Sequence, residues 1–234
     1  MTQQSPPEIL TERTHQLFLK VTECSRKIYT DQTGNFPVTS SHGYKYIMIA
    51  YYYDSNNILS EPIKSRTSLH IKNAYQTMRK LLCSRGLTPK TRLLDNEFSK
   101  VLKEYMEEEN ETFHLFPPHL HRQKSAERSI QTFMNHFIAG MVSTHKDFPL
   151  HLWCRLLPQA IVTLNLLHPS RINPTLSAHA QFRGLFDFNA TPFAPPGTNL
   201  MVHLKPTIRK SWAPRGQDGR YIDRDKDHYR CYKI

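Results

Sequence analysis

Asp31, Asp95 and Glu127 are the residues whose types and positions could share one chemistry. Asp31 lies inside a short β-patterned run, where a solvated surface acid is less expected. Asp95 ends the run Thr91 to Leu94 and is followed by Asn96. Glu127 stands near the start of a long helical pattern, just after the loop His119 to Ser125. Carboxylates at two strand ends and one helix start can be collected at a single sheet edge, and their oxygens suit hard divalent ions such as Mg²⁺. Two such ions about 3.5–4 Å apart activate an oxygen nucleophile, stabilise a leaving oxygen and hold in-line geometry, as phosphoryl transfer requires. Each acid alone also has an ordinary reading: a turn former, a helix N-cap for Asp95, a solvated helix residue for Glu127. Only the set favours the shared chemistry.

Cations surround two stretches. Arg122, Lys124 and Arg128 flank Glu127, where a loop beside a reacting phosphate should be basic. Lys205, Arg209, Lys210 and Arg215 crowd the region near the end and suit sequence-independent phosphate contacts. His119 and His121 read as loop polarity in a chain with 13 histidines. Asp54, in Asp-Ser-Asn-Asn, reads as turn chemistry. Glu97, near Asp95, has two equal readings, an alternative metal ligand or a first-turn helix residue. Trp153 shares a face with Leu150, Leu156 and Leu157 and is expected in the core. Trp212, between Ser211 and Ala213 in the basic tail, is a candidate for a DNA or partner contact, with docking of the tail as the alternative.

The elements that must position these residues are legible as periods. Ile28, Thr30 and Gln32 alternate with Tyr29 and Asp31, and Gly34-Asn35 supplies a turn before Phe36 to Thr39. Tyr44 to Tyr53 and Ile58 to Ile63 read as two more strands, giving an antiparallel meander. Leu69, Ala74, Met78, Leu81 and Leu82 share a helical face, with Gly86 as a stop. A strand at Thr91 to Leu94, a helix at Ser99 to Glu109 and a strand at Thr112 to Phe116 follow. Ile130, Phe133, Met134, Phe137, Ile138 and Met141 mark a long helix, Leu150 to Leu167 another, and Ser177 to Arg183 a short one. The tail offers strands at Leu200 to Leu204 and His228 to Lys233 around a Gly-rich turn. A meander followed by β-α-β-α predicts an α/β fold with a mixed sheet flanked by helices, and a small β-rich appendage. The expected division is residues 1–25 as a leader or remnant of an upstream domain, 26–185 as the core, and 186–234 as a proline-rich linker with a basic β-rich tail.

The 234 residues carry a formal charge of +11, unevenly placed. From Glu61 to Lys103 ten Lys or Arg face three acids, and from Met201 to the end nine face four, whereas Glu104 to Glu111 holds five glutamates and no base. Two separated basic regions suit a long polyanion touched at several points. The four cysteines are far apart and form no CxxC pair, which argues against a zinc cage and fits reduced thiols. The most apolar stretch, Leu150 to Leu167, is interrupted by Arg155 and Gln159, so no membrane span is expected.

The segments KIYTDQTGNFPVTSSHGYKYIMIAYYYDSN, RLLDNEFSK and FPPHLHRQKSAERSIQTFMNHFIAG resemble the integrase catalytic core of long-terminal-repeat retrotransposons, of the copia-like or gypsy-like kind. The likeness covers roughly residues 26 to 185, and more weakly the tail. It implies a ribonuclease-H-like fold. It also implies that Asp31, Asp95 and Glu127 are the Asp-Asp-Glu triad, catalytic and metal-binding, holding two Mg²⁺ or Mn²⁺ ions. The implied activity is a metal-dependent DNA strand transferase and endonuclease that joins element ends to target DNA, as a homo-oligomer, in the nucleus. Thirty-one residues lie between Asp95 and Glu127, somewhat fewer than is usual in the family. Gln123-Lys124-Ser125 stands where many relatives carry Asn and Gly, and residues 1 to 30 offer only His15 and Cys24 toward the family's upstream zinc domain. Two other readings stay open: a catalytically inactive DNA-binding or oligomerising relic, and a ribonuclease-H-type nuclease of the same fold.

Overall fold

The three β-patterned runs form the expected meander: strand β1 is Lys27–Gln32, β2 is Tyr46–Tyr52 and β3 is Asn57–Ile63. All structural statements refer to a computed structural model that describes residues 25–94, 100–115, 124–190, 192–225 and 228–234, without the side chains of residues 94, 114–115 and 124–126. Pairing along the meander is antiparallel, with Asp31 opposite Ile49 and Tyr51 opposite Ile58. Asp54 lies in the turn between β2 and β3 as its sequence suggests, and its side chain reaches back to accept the Arg26 N–H at 2.6 Å. Asn56 completes that turn at φ 56°, a left-handed conformation that asparagine tolerates.

Helix α1 (Ser68–Cys83) crosses one face before β4 (Thr91–Leu94), α2 (Lys100–Glu108) and β5 (Thr112–Leu115). β4 lies parallel to β1 and β5 parallel to β4, so the sheet order is β3-β2-β1-β4-β5. Then come α3 (Lys124–Val142), a 3-10 turn at Leu150–Leu152, α4 (Trp153–Leu167) and the short α5 (Ala178–Arg183). The single helix expected over Leu150 to Leu167 therefore has a different first turn. Pro149 presets a tight φ, and its carbonyl accepts the Leu152 N–H at 2.8 Å. This stretch is, by length and composition, apolar enough to cross a bilayer. Here it is a core helix: Trp153, Leu156, Leu157, Ala160 and Leu164 are buried against the sheet, and the Gln159 amide donates to the Ala194 carbonyl at 2.7 Å.

Strand β2 is sandwiched, which explains its near-continuous apolar run. Ile47, Ile49 and Tyr51 join Ile130, Phe133, Phe137 and Trp153 from α3 and α4. Met48, Ala50 and Tyr52 join Tyr75, Met78, Leu82, Leu102 and Met106 from α1 and α2. Each large apolar side chain buried this way contributes about 1.5–3 kcal/mol. Trp153 is fully buried as expected, stacked on Phe36 at 4.4 Å and donating its indole N–H to the Val38 carbonyl at 2.8 Å.

A charged knot lies in the α1/α2 layer. Arg92 of β4 is fully buried; its Nε and Nη2 donate to Thr30 Oγ1 at 3.1 and 2.9 Å, and its guanidinium sits 3.6 Å from the Tyr75 ring centre. Burial lowers the Arg92 pKa to about 10, countered by its polar neighbours Tyr75, Glu111 and Tyr105, so it stays cationic at neutral pH. The Tyr75 hydroxyl donates to Glu111 Oε2 at 2.5 Å, and Glu111 also takes the Nε–H of Arg79.

The tail folds differently from expectation. β6 (Asn199–His203) pairs with β7 (Gly216–Arg220), and β8 (Asp223–Arg224) with β9 (Tyr232–Lys233). β7 contains no β-branched or aromatic residue, so propensity could not reveal it. Its glycines make the pairing possible: a Cβ on Gly219 would stand 2.6 Å from Val202 Cγ2, and one on Gly216 2.7 Å from Met201 Cγ. The last strand is also shorter than the expected His228 to Lys233. Ile222 joins the core cluster of Trp153 and Leu157, so the tail is packed onto α4.

Two outcomes follow for stability. Glu111→Gln removes the buried one of the two carboxylates paired with Arg79, the other being Glu109 at 2.6 Å, and should cost about 1–3 kcal/mol in denaturant unfolding. His179 is buried with its pKa lowered to about 4, first by burial and then by Arg183 and Arg224. A histidine held neutral in the fold contributes stability that is fully present above its ordinary value near 6.5 and is lost as pH falls toward about 4. His179→Gln should therefore flatten the acid limb of the stability curve in that window, by up to about 1.4 kcal/mol per pH unit.

Candidate active site

Strand β1 sends alternate residues to opposite faces. Ile28 and Thr30 enter the layer of α1 and α2, whereas Tyr29 packs with Tyr51 and Tyr53 on the side of α3 and α4. Asp31 shares the side of Tyr29 by the two-residue period of a strand. It is exposed near the C-terminal end of β1, and its Oδ1 accepts the Gln32 N–H at 2.7 Å. Tyr29 pairs with Leu93, so the parallel strand β4 finishes level with Thr30, beside Asp31. Asp95 itself lies outside the described residues.

Glu127 occupies the first turn of α3, exposed, where a carboxylate complements the positive helix end. What fixes that turn is apolar on one side and polar on the other. Ile130, Phe133 and Phe137 are buried on the sheet, the two phenyl rings stacked 5.9 Å apart. Ser129, one residue before Ile130, lies near enough to the Tyr51 hydroxyl to hold its pKa down. That hydroxyl donates to Asn56 Oδ1 at 2.9 Å and accepts from Arg171 Nη2 at 2.8 Å. Burial raises the Tyr51 pKa, and the neighbouring Arg171 charge works against the rise. The Asn56 amide in turn donates to the Pro169 carbonyl at 2.8 Å, and Arg171 stacks 4.0 Å above Tyr53. One phenol thus ties the helix bearing Glu127 to the β2–β3 turn and to the segment after α4.

The structure therefore brings Asp31 and the Glu127 helix to one side of the sheet. Arg128 is exposed beside Glu127, whereas Arg122 and the Lys124 side chain lie outside the described residues, as do His119, His121 and Glu97. Lys205, Lys210 and Arg215 are exposed and Arg209 half-buried on the connection between β6 and β7, a separate element from α3. Among the described residues no three His, Cys, Asp or Glu side chains converge as a metal cage. The described cysteines, Cys83, Cys154 and Cys231, are free.

Two supporting features escaped sequence reading. Arg92 under Asp31's strand had one signal, a cation inside a short buried strand. Asn165 had none: its side chain accepts the Ile58 N–H at 2.9 Å and donates to the Ile58 carbonyl at 2.8 Å, closing part of the free β3 edge from α4.

No protein-family model matches this sequence, and comparison with curated proteins finds no similar chain. Solved structures do match. The catalytic core domain of BIV integrase is 16% identical, covers 68% of this chain and 93% of its own, and superposes with a TM-score of 0.50. The HTLV-2 integrase catalytic core domain in complex with magnesium, in a trimeric form, is 16% identical over 68% of this chain and 97% of its own, TM-score 0.50. The simian T-cell lymphotropic virus intasome in complex with PP2A regulatory subunit B56 gamma is 13% identical over 85% of this chain and 69% of that one, TM-score 0.52. At such identities the likeness is one of fold, and the fold is the ribonuclease-H-like α/β architecture of integrase catalytic cores.

Removing the Tyr51 hydroxyl tests what holds the Glu127 helix. Tyr51→Phe leaves Asn56 and Arg171 short of one partner and removes the polar group beside Ser129, and should lower stability by roughly 1–3 kcal/mol. Amide exchange in the first turns of α3 should rise more than in α1. Equal exchange in both helices would show that Tyr51 does not anchor α3.

Proposed function

We propose that this chain, folded as integrase catalytic cores are, is an integrase-type polynucleotidyl transferase that joins DNA 3′ ends to target DNA. The observation that carries the reading is the placement of Asp31. It stands at the C-terminal end of the central strand, on the sheet side covered by the helix whose first turn bears Glu127. Residues 26–185 would form the catalytic core and 186–234 the basic appendage, preceded by the leader or remnant at 1–25. The retrotransposon resemblance of the three sequence segments supports an element of copia-like or gypsy-like kind.

The donor chemistry fits divalent ions: Asp31 and Glu127 are exposed carboxylates, hard oxygen donors that suit Mg²⁺ or Mn²⁺. Asp31, Asp95 and Glu127 are the residues that would hold two such ions, and the magnesium in the HTLV-2 core supports that choice. Bound there, the ions supply the charge and alignment that in-line phosphoryl transfer needs. The chain's own contribution is placement. β1 ends with Asp31 on the sheet side that α3 covers, α3 carries Glu127 in its first turn, and Arg128 with Arg122 and Lys124 would neutralise the phosphates drawn to them. Lys205, Arg209, Lys210 and Arg215 give a second, sequence-independent grip on the same DNA. Assembly as a homo-oligomer and work in the nucleus follow from this reading and are part of the proposal.

A branched DNA that mimics the joined product tests the chemistry. With Mn²⁺ the natural chain should reseal it, and Asp31→Asn or Glu127→Gln should each slow resealing by about 100-fold or more, since ion-held charge stabilisation is worth several kcal/mol. Both side chains are exposed, so melting temperatures should stay unchanged. Intact DNA binding without resealing by the natural chain would instead make it an inactive DNA-binding relic.

A further inference from the structure

The connection between β6 and β7 carries an unusual tryptophan. Trp212 is fully exposed, whereas Trp153, the other tryptophan, is fully buried. A large apolar ring left wholly in water contributes nothing to the fold by burial. Its backbone conformation is also unfavourable. The Ala213 N–H donates to the Lys210 carbonyl at 3.1 Å, closing a four-residue turn in which Trp212 stands third with φ 66°. That position favours glycine or asparagine, and a bulky residue there is a true outlier. Neither propensity nor packing accounts for the ring, and such outliers point toward function.

The surroundings say what the ring would meet. Between His203 and Gln217 the chain holds Lys205, Arg209, Lys210 and Arg215 and no Asp or Glu. A second turn, closed by the Ile208 N–H on the Lys205 carbonyl at 3.0 Å, sets Lys205 at its start, just as Lys210 starts the turn of Trp212. A polymer that alternates phosphates with flat π faces matches a connection that carries four cations and one exposed indole. Inside a duplex the base faces are stacked on one another, so apart from the terminal pair at an end only an unpaired nucleotide can offer one.

We propose that Trp212, at the tip of the β6–β7 hairpin, is a stacking platform for an unpaired base of DNA, with Lys205, Arg209, Lys210 and Arg215 holding the flanking phosphates. This deepens the DNA-joining reading and rests on its claim that the hairpin contacts DNA. The ligand is an unpaired stretch, such as a frayed end or a displaced strand.

The test uses the full 234-residue chain with a metal chelator present, a labelled (dT)12 single strand and a labelled duplex long enough that its end faces are a small share of its binding sites. Tryptophan emission and label anisotropy are followed together. The (dT)12 strand should quench Trp212 emission, and the W212G chain, whose turn tolerates glycine, should melt no lower. W212G should bind (dT)12 about 5- to 100-fold more weakly, the range expected for one base on one aromatic ring, while W212F keeps most of the affinity. Duplex affinity should change less than about twofold. Equal (dT)12 binding by W212G without quenching would overturn the stacking proposal yet leave salt-sensitive DNA binding in place. Failure of both oligonucleotides to bind would overturn it together with the DNA reading. A Trp212 emission shift with anionic vesicles but not with (dT)12 would also overturn it.

Discussion

Strand β4 carries a guanidinium into the layer between the sheet and helices α1 and α2, and much of the molecule is arranged around that charge. Arg92 cannot reach water, so its donors must be met inside: two go to Thr30, and the Tyr75 ring faces the cation. Thr30 is the residue before Asp31. The contact therefore clamps β1 to β4 at the level where the candidate acid emerges on the opposite face. β1 and β4 are joined in sequence through β2, β3 and α1, and the Arg92–Thr30 contact adds a side-chain link to their parallel pairing. Glu111, held by Arg79 and Tyr75, supplies the countercharge that keeps Arg92 cationic.

The opposite face obeys a different constraint. There the helix carrying Glu127 is held by apolar burial through Phe133 and Phe137 and oriented by the Tyr51 hydroxyl. The two faces thus divide the work. A buried charge sets the strand ends, and a buried phenol sets the helix start. Both leave Asp31 and Glu127 themselves in solvent, where a polyanion and its ions can reach them.

Much of this was legible in the sequence, for identifiable reasons. The meander, β4, α1 and α3 follow from periods of two and about 3.6 in apolar residues, and Trp153 from the face it shares with Leu156 and Leu157. β7 was not, because glycines rather than β-formers permit its pairing with Met201 and Val202. Nor was the docking of Ile222 into the core, which depends on how a proline-rich segment returns to α4. The candidate acids were readable as types at edges. Asp31 and the Glu127 helix share a side of the sheet, while Asp95 lies outside the described residues. What the sequence does not mark is the pairing of the residues that support them: Arg92 reaches Thr30 from a strand more than sixty residues on, and Tyr51 meets Arg171 from beyond α4.

Manganese located by anomalous diffraction in crystals of the natural chain tests the central claim most directly. The account predicts two ions about 3.5–4 Å apart, with Asp31 and Glu127 among their oxygen ligands. Manganese bound elsewhere, with neither carboxylate touching it at saturating concentration, would contradict it.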